Sequence, residues 1–117
     1  MSNILTNYGG ELLLVDSKRK KSLVIQNIIM LEGNVNYTIF HMKYGKKFLY
    51  SHTLLSYEGY LNKFGFLRVH RGFIINPSFV QGFELGDNKL LMEENLTANV
   101  SRRRSGQKAV KQLLRKF

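Results

Sequence analysis

Residues 66–76, Phe66-Leu-Arg-Val-His-Arg-Gly-Phe-Ile-Ile-Asn76, place two arginines and a histidine inside a run that is otherwise apolar enough for a buried strand. Because side chains alternate along a strand, Arg68, His70 and Arg71 are expected to point outward near a bend at Gly72. Guanidinium groups bind carboxylates and phosphates through paired hydrogen bonds. The segment therefore predicts either a rigid anion-binding surface or a sheet edge whose positive charge discourages aggregation.

The composition of the chain favours a polyanionic partner. Its 117 residues include 18 Lys and Arg against 8 Asp and Glu, which gives a formal net charge of +10. A positive field of this size attracts nucleic acids. The length and the 44% hydrophobic content predict one folded domain over residues 1–117.

The absence of cysteine and the short length of the apolar runs indicate the cellular location of the protein. The chain has no cysteine, which excludes disulfides and thiolate metal sites and favours the cytoplasm. Apolar runs such as residues 12–15 and 28–31 are far shorter than the roughly 20 residues that span a bilayer. The sequence therefore predicts a cytoplasmic protein without a membrane-spanning segment.

The sequence is poor in residues that could form a catalytic site. His41, His52 and His70 fall on separate predicted elements without the spacing of metal ligands. Glu93 and Glu94 are adjacent, so on a strand they would face opposite sides. These observations predict a protein that is not an enzyme and needs no cofactor, metal or small-molecule substrate.

The elements that must position the cations are mostly short strands. One helical stripe interrupts them, because Leu54, Tyr57, Leu61 and Phe64 repeat at helical spacing within residues 53–64. The fold class is therefore mostly β, with one short internal helix and a C-terminal helix. The predicted strands are residues 11–15, 22–25, 28–32, 37–43, 47–51, 66–69, 73–75, 79–85, 89–93 and 96–100.

The predicted C-terminal helix has an apolar stripe and a basic stripe. The apolar stripe is formed by Val110, Leu113, Leu114 and Phe117, and residues 100–117 contain seven cations and no acid. The apolar stripe can cover the β core or pack against another copy of the chain. A second interpretation is that the helix inserts its apolar stripe at a membrane surface or docks a partner.

Three blocks of this sequence resemble the LytTR family of DNA-binding output domains found in bacterial response regulators. They are Ile28-Ile-Met-Leu-Glu-Gly-Asn-Val-Asn-Tyr37, the block at residues 66–76, and Asn99-Val-Ser-Arg-Arg103. The resemblance covers residues 11–114, the expected core of the domain. It implies an elongated antiparallel fold of about ten short strands in small sheets, which inserts loops into successive grooves of duplex DNA.

The resemblance also implies which residues face DNA. The bases would be read by Asn36, whose amide suits adenine, by Arg71 in the minor groove, and by Arg102, whose guanidinium suits guanine. Asparagine in a turn is also commonly structural, which is the alternative for Asn36. The residues expected to contact the DNA backbone or to support the base readers are Asn34, Tyr37, His70, Ser101, Arg103, Arg104 and Lys108.

One departure from the family pattern affects the first contact segment. Relatives commonly carry glycine before the Asn-Tyr pair, whereas this chain has Val35. Valine resists backbone angles that glycine adopts freely. The sequence therefore predicts a first loop of different shape.

The expected partner is double-stranded DNA carrying paired repeats, which would allow a homodimer to form on DNA. The alternative is an RNA-binding or ribosome-associated module, because this class also needs a basic surface. Such a module stacks unpaired bases on exposed aromatics, and Tyr44, Tyr50 and Tyr60 are the candidates. Strand aromatics are more often core residues.

Overall fold

The computed structural model describes residues 10–117, which form ten short strands in three antiparallel sheets. The sheets contain two, five and three strands, in the orders β1-β2, β5-β4-β3-β7-β6 and β10-β9-β8. The molecule measures 45 × 30 × 26 Å, so the predicted elongated shape is confirmed. The strands are β1 (Leu12–Asp16), β2 (Lys21–Val24), β3 (Ile28–Asn34), β4 (Tyr37–Met42), β5 (Lys47–Tyr50), β6 (Leu67–His70), β7 (Phe73–Ile75), β8 (Val80–Glu84), β9 (Lys89–Met92) and β10 (Thr97–Asn99).

The five-stranded sheet lies between two hydrophobic cores, one on each face. The first core joins this sheet to β1, β2 and the internal helix, and includes Ile28, Leu31 and Phe40. The second joins it to the three-stranded sheet and the C-terminal segment, and includes Ile29 and Met30. Burial on both faces explains why residues 28–31 are continuously apolar instead of alternating.

A β-bulge between Ile28 and Met30 sets which side chain enters which core. The pairing of β3 with β4 shifts by one residue at this point. As a result Ile29 and Met30 both enter the second core, although strand neighbours normally point to opposite faces. The bulge then returns Leu31 to the first core.

The internal helix α1 (Leu54–Asn62) buries the predicted apolar stripe only in part. Leu54, Tyr57 and Leu61 are buried in the first core, whereas Phe64 lies beyond the last turn and is more exposed. Gly65 follows the helix with a φ of +88°, as expected for a glycine that ends a helix. The helix is thereby fixed against β3 with its first turn beside the end of that strand.

The C-terminal segment forms two helices where the sequence predicted one. These are α2 (Arg102–Ser105) and α3 (Lys108–Leu114), and the break falls where Gly106 ends α2 and Gln107 adopts extended angles. Val110 and Leu113 are buried in the second core, so the interpretation that this segment covers the β core is confirmed. Within residues 10–117 no helix has the length and apolarity needed to cross a membrane.

A carboxylate clip joins the five-stranded sheet to the three-stranded sheet. Glu94 accepts hydrogen bonds from the backbone N–H groups of Tyr44, at 2.7 Å, and Gly45, at 2.6 Å. The strand predicted over residues 89–93 ends one residue earlier, at Met92, and Glu93 and Glu94 lie in the 3-10 turn of residues 93–95. The turn gives Glu94 a φ of +60°, which aims its carboxylate at the neighbouring sheet.

Candidate nucleic-acid interface

The first predicted contact segment, residues 34–37, is the turn of the β3–β4 hairpin and is called loop 1 below. Asn34 and Tyr37 are the last paired residues, so Val35 and Asn36 form a two-residue tip. All four side chains are exposed, and Val35 is 88% exposed. Val35 has a φ of +54°, in the left-handed region that glycine adopts freely. Valine is disfavoured at such angles, so Val35 holds a strained backbone, and the difference in loop shape from relatives stays a prediction.

Replacing Val35 with glycine is expected to raise the free energy of unfolding by about 1 kcal/mol. Glycine removes the contact between Cβ and backbone that disfavours positive φ, although its greater freedom in the unfolded chain offsets part of this gain. Urea denaturation of the two proteins measures the difference. Val35→Ala serves as the control, because alanine keeps the Cβ atom and should give a smaller gain. A glycine variant less stable than the parent would contradict the assigned strain.

His70 and Arg71, which were predicted to face DNA, lie at the tight turn between β6 and β7. The amide N–H of Gly72 donates to Nδ1 of His70 at 2.9 Å, and the ring of His70 packs on Phe73 with centroids 5.6 Å apart. A bulge between Arg68 and His70 increases the bend of the strand before the turn. Arg71 occupies the exposed tip. The turn therefore presents the exposed guanidinium of Arg71 on a backbone that the hydrogen bond to His70 stabilises.

The prediction that Arg68 points outward is wrong. Its side chain is only 14% exposed and forms an ion pair with Glu58 of α1. The same guanidinium donates from Nε to the carbonyl oxygen of His70 at 3.0 Å and from a terminal nitrogen to the carbonyl oxygen of Arg71. Arg68 is thus a brace that holds the β6–β7 turn against α1, and sequence spacing gave no sign of its partner.

The surroundings of His70 lower its pKa. Burial is the largest cause, followed by the positive charges of Arg71, Arg68 and Arg104. The accepted hydrogen bond from Gly72 also requires an unprotonated Nδ1. Arg68 is already paired with Glu58, so Arg71 and Arg104 are the charges near this imidazole that favour the approach of an anion.

The lowered pKa of His70 predicts a loss of stability in mild acid. Between the folded-state pKa and the ordinary value near 6.5, the unfolded chain binds more protons than the folded chain. The contribution of His70 to the free energy of unfolding is therefore fully present above about pH 6.5. It is lost as the pH decreases toward the folded-state pKa of His70. Urea unfolding at pH 7.5 and 5.5 should show a smaller pH dependence in His70→Gln than in the parent. Equal pH dependence in the two proteins would refute this assignment.

Ser101, Arg102 and Arg103, which were predicted to face DNA after the last strand, lie at the start of α2. Ser101 caps α2 by accepting a hydrogen bond from the N–H of Arg104 at 3.1 Å, a role typical of serine at this position. The hydroxyl of Ser105 donates to the carbonyl oxygen of Arg102 at 2.7 Å and fixes the other end of the turn. Arg102 and Arg103 are exposed, whereas Arg104 is half-buried beside His70. Ser101 therefore supports the arginines.

Two backbone hydrogen bonds join the three segments into one continuous edge. The N–H of Gly33, beside loop 1, donates to the carbonyl oxygen of Gly72 at 2.9 Å. The N–H of Ser101, before α2, donates to the carbonyl oxygen of Val69 at 2.9 Å. The order along the edge is therefore loop 1, the β6–β7 turn and α2.

A shallow groove separates loop 1 from the β6–β7 turn. It has a volume of about 410 Å³ and is lined by Val35 and Tyr37 of loop 1, Leu54 and Leu55 of α1, and Arg71. The side chain of Leu54 fills the space beside Gly33, where a Cβ atom would lie 3.1 Å from Cδ1 of Leu54. The first turn of α1 thus sets the distance between the two segments, a role for Leu54 and Leu55 that sequence reasoning missed.

The basic stripe of α3 continues beyond the three segments. Lys108 is exposed at the first position of α3 and lines a second shallow groove with Lys111 and Arg115.

The three tyrosines predicted as candidates for base stacking lie on different elements and differ in exposure. Tyr44 and Tyr60 are exposed on different elements, whereas Tyr50 packs edge-on against buried Phe40 at 5.9 Å.

Comparisons with known proteins agree with this architecture. The family model described as the LytTr DNA-binding domain matches residues 18–115. A solved structure of the LytTr DNA-binding domain from a Bacillus cereus protein, described as a putative methyl-accepting/DNA response regulator, is similar to the fold. It superposes with a TM-score of 0.71 at 19% sequence identity, covering 91% of this chain and 98% of that one. No curated protein matches. Because the family model matches most of its length, the chain belongs to the LytTR family of DNA-binding domains.

Proposed function

We propose that this chain is a bacterial transcriptional regulator that binds duplex DNA sequence-specifically. Loop 1, the β6–β7 turn and α2 lie along one edge and enter successive grooves. The observation that carries the proposal is the pair of backbone hydrogen bonds that places three segments, distant in sequence, side by side. Membership of a family of DNA-binding domains supports it.

The three segments have different tasks at the edge. Asn36 at the tip of loop 1 reads a base in the major groove, and Arg102 reads another from the first position of α2. Arg71 enters the narrow minor groove between them, where the negative potential is strongest. Asn34, Tyr37, His70, Arg103, Arg104 and Lys108 contact sugar and phosphate or support the base readers.

The supporting groups matter because base readout needs fixed donors. The Ser101 cap, the Arg68 brace and the packing of Leu54 against Gly33 restrict the three segments before DNA arrives. Less conformational entropy is then lost on binding. The +10 net charge adds a salt-sensitive attraction to any duplex, so the rigid segments supply the discrimination.

Selection of bound sites from a random duplex library tests the function. The expected result is enrichment of one short sequence, with paired copies if two molecules bind together as a homodimer. The enriched duplex should then be competed with single-stranded DNA and with structured RNA at the same salt concentration. Failure to enrich any sequence, or more effective competition by RNA, would favour the RNA-binding alternative.

A further inference from the structure

The turn of the β1–β2 hairpin, together with the first residue of β2, carries four consecutive cations that the proposed DNA edge does not include. Lys18, Arg19, Lys20 and Lys21 are all exposed. The carboxylate of Asp16 accepts hydrogen bonds from the N–H groups of Lys18, at 3.1 Å, and Arg19, at 3.2 Å. These hydrogen bonds fix the backbone of the turn, so the cations are held on a defined support and not on a loose loop.

The segment before α1 connects this basic turn to loop 1, through a shared groove on one side and a hydrogen bond on the other. Ser17, at the start of the turn, lines a groove together with His52 and Ser56, which flank the start of α1. The carbonyl oxygen of His52 accepts a hydrogen bond from the Thr38 hydroxyl at 2.6 Å, and Thr38 directly follows Tyr37 of loop 1. The segment before α1 therefore lies between the basic turn and loop 1.

This order extends the edge by one more element. From the basic turn the edge runs through the start of α1 to loop 1, and then to the β6–β7 turn and α2. Stacked sheets lie about 10 Å apart, and the major groove of B-DNA is about 12 Å wide. The β1–β2 sheet packs on the five-stranded sheet through the first core, so a turn one layer away from loop 1 is within reach of phosphates that would border the groove entered by loop 1.

We infer that the basic turn binds DNA phosphates that flank the recognised sequence on the loop 1 side. The inference rests on the proposed function, because it assumes that loop 1 faces the duplex. Phosphate contacts carry no sequence information, so the turn would lengthen the footprint and raise affinity without changing base preference. Release of counterions makes each contact visible in the salt dependence of binding.

The test uses the full chain and compares two doubly substituted variants that lose the same charge. In the first, Lys18→Gln and Lys20→Gln neutralise the basic turn. In the control, Lys46→Gln and Lys47→Gln neutralise exposed lysines at the β4–β5 turn, which lies at the far end of β4 from loop 1. The six residues of β4 separate the β4–β5 turn from loop 1 by about 20 Å.

Affinity is measured between 50 and about 200 mM salt on two duplexes that contain the selected site. One extends by about one helical turn on the loop 1 side, which footprinting identifies, and the other stops at the last base pair of the site. Neutralising the basic turn should lower the salt slope by about 1 to 2 on the long duplex and leave it unchanged on the short one. The control variant should match the parent on both.

Three outcomes overturn the inference. The basic-turn variant could match the parent on the long duplex, it could lose equal slope on both duplexes, or the control could lose as much as the basic-turn variant. The last two results would show a general charge effect without a flanking contact. A parent chain that binds no duplex would instead overturn the proposed function, so the two failures are distinguishable.

Discussion

Replacing Arg68 with lysine is expected to lower the free energy of unfolding by about 2 kcal/mol and to weaken duplex binding several-fold. Lysine keeps the charge but cannot donate at once to Glu58 and to the carbonyl oxygens of His70 and Arg71. Complete burial of such a pair would make the loss larger, but the Glu58 side chain is 32% exposed. Binding weakens because the turn that carries Arg71 loses its brace.

The control for Arg68→Lys is the same substitution at Arg19. That residue faces Asp16 across 4.0 Å, but its side chain is 82% exposed, and such pairs contribute little to stability. Urea denaturation should therefore separate the two variants clearly. If Arg68→Lys were as stable as Arg19→Lys, the assigned brace would be wrong.

The strands and the internal helix were predictable because each has a local pattern. All ten strands and α1 begin and end within two residues of their predicted bounds. Period-two alternation, turn residues and the stripe formed by Leu54, Tyr57 and Leu61 are properties of short segments. The continuous apolar run at residues 28–31 also reflects a strand buried on both faces.

The direction of Arg68 was not predictable because it depends on two features outside the local pattern. The bulge between Arg68 and His70 breaks the simple alternation of faces. The partner, Glu58, lies on a helix ten residues earlier, and sequence periodicity does not report contacts between elements. In contrast, the split between α2 and α3 left signals in the sequence, since serine commonly caps a helix and glycine commonly ends one.

The chemistry of the candidate site could be predicted from residue types, but its arrangement could not. The exposed arginines and asparagines suggest contacts with bases and phosphates wherever they lie. Their proximity depends on β3 pairing with β7, strands separated by about forty residues, and on one hydrogen bond between Val69 and Ser101. Such pairings are set by the tertiary fold. The three family motifs therefore suggested a shared edge, but local sequence patterns do not give the geometry of that edge.

Replacing Arg102 with alanine is expected to weaken binding to the selected duplex by about 1 to 3 kcal/mol, roughly 5- to 150-fold. Arg102 is exposed at the first position of α2, and the Ser101 cap and the Ser105 hydroxyl fix the backbone around it. Alanine removes the guanidinium and leaves these bonds intact. The helix should therefore remain in place while one base contact is lost.

A second measurement separates base readout from general attraction. Duplexes carrying each of the four base pairs at the position nearest Arg102 should be discriminated by the parent and bound almost equally by Arg102→Ala. Lys108→Ala, which removes an exposed cation at the start of α3, should weaken all four duplexes alike and reduce the salt slope by about 1. If Arg102→Ala kept the parental base preference, Arg102 would be a phosphate contact, and the base readout proposed for α2 would have to lie elsewhere.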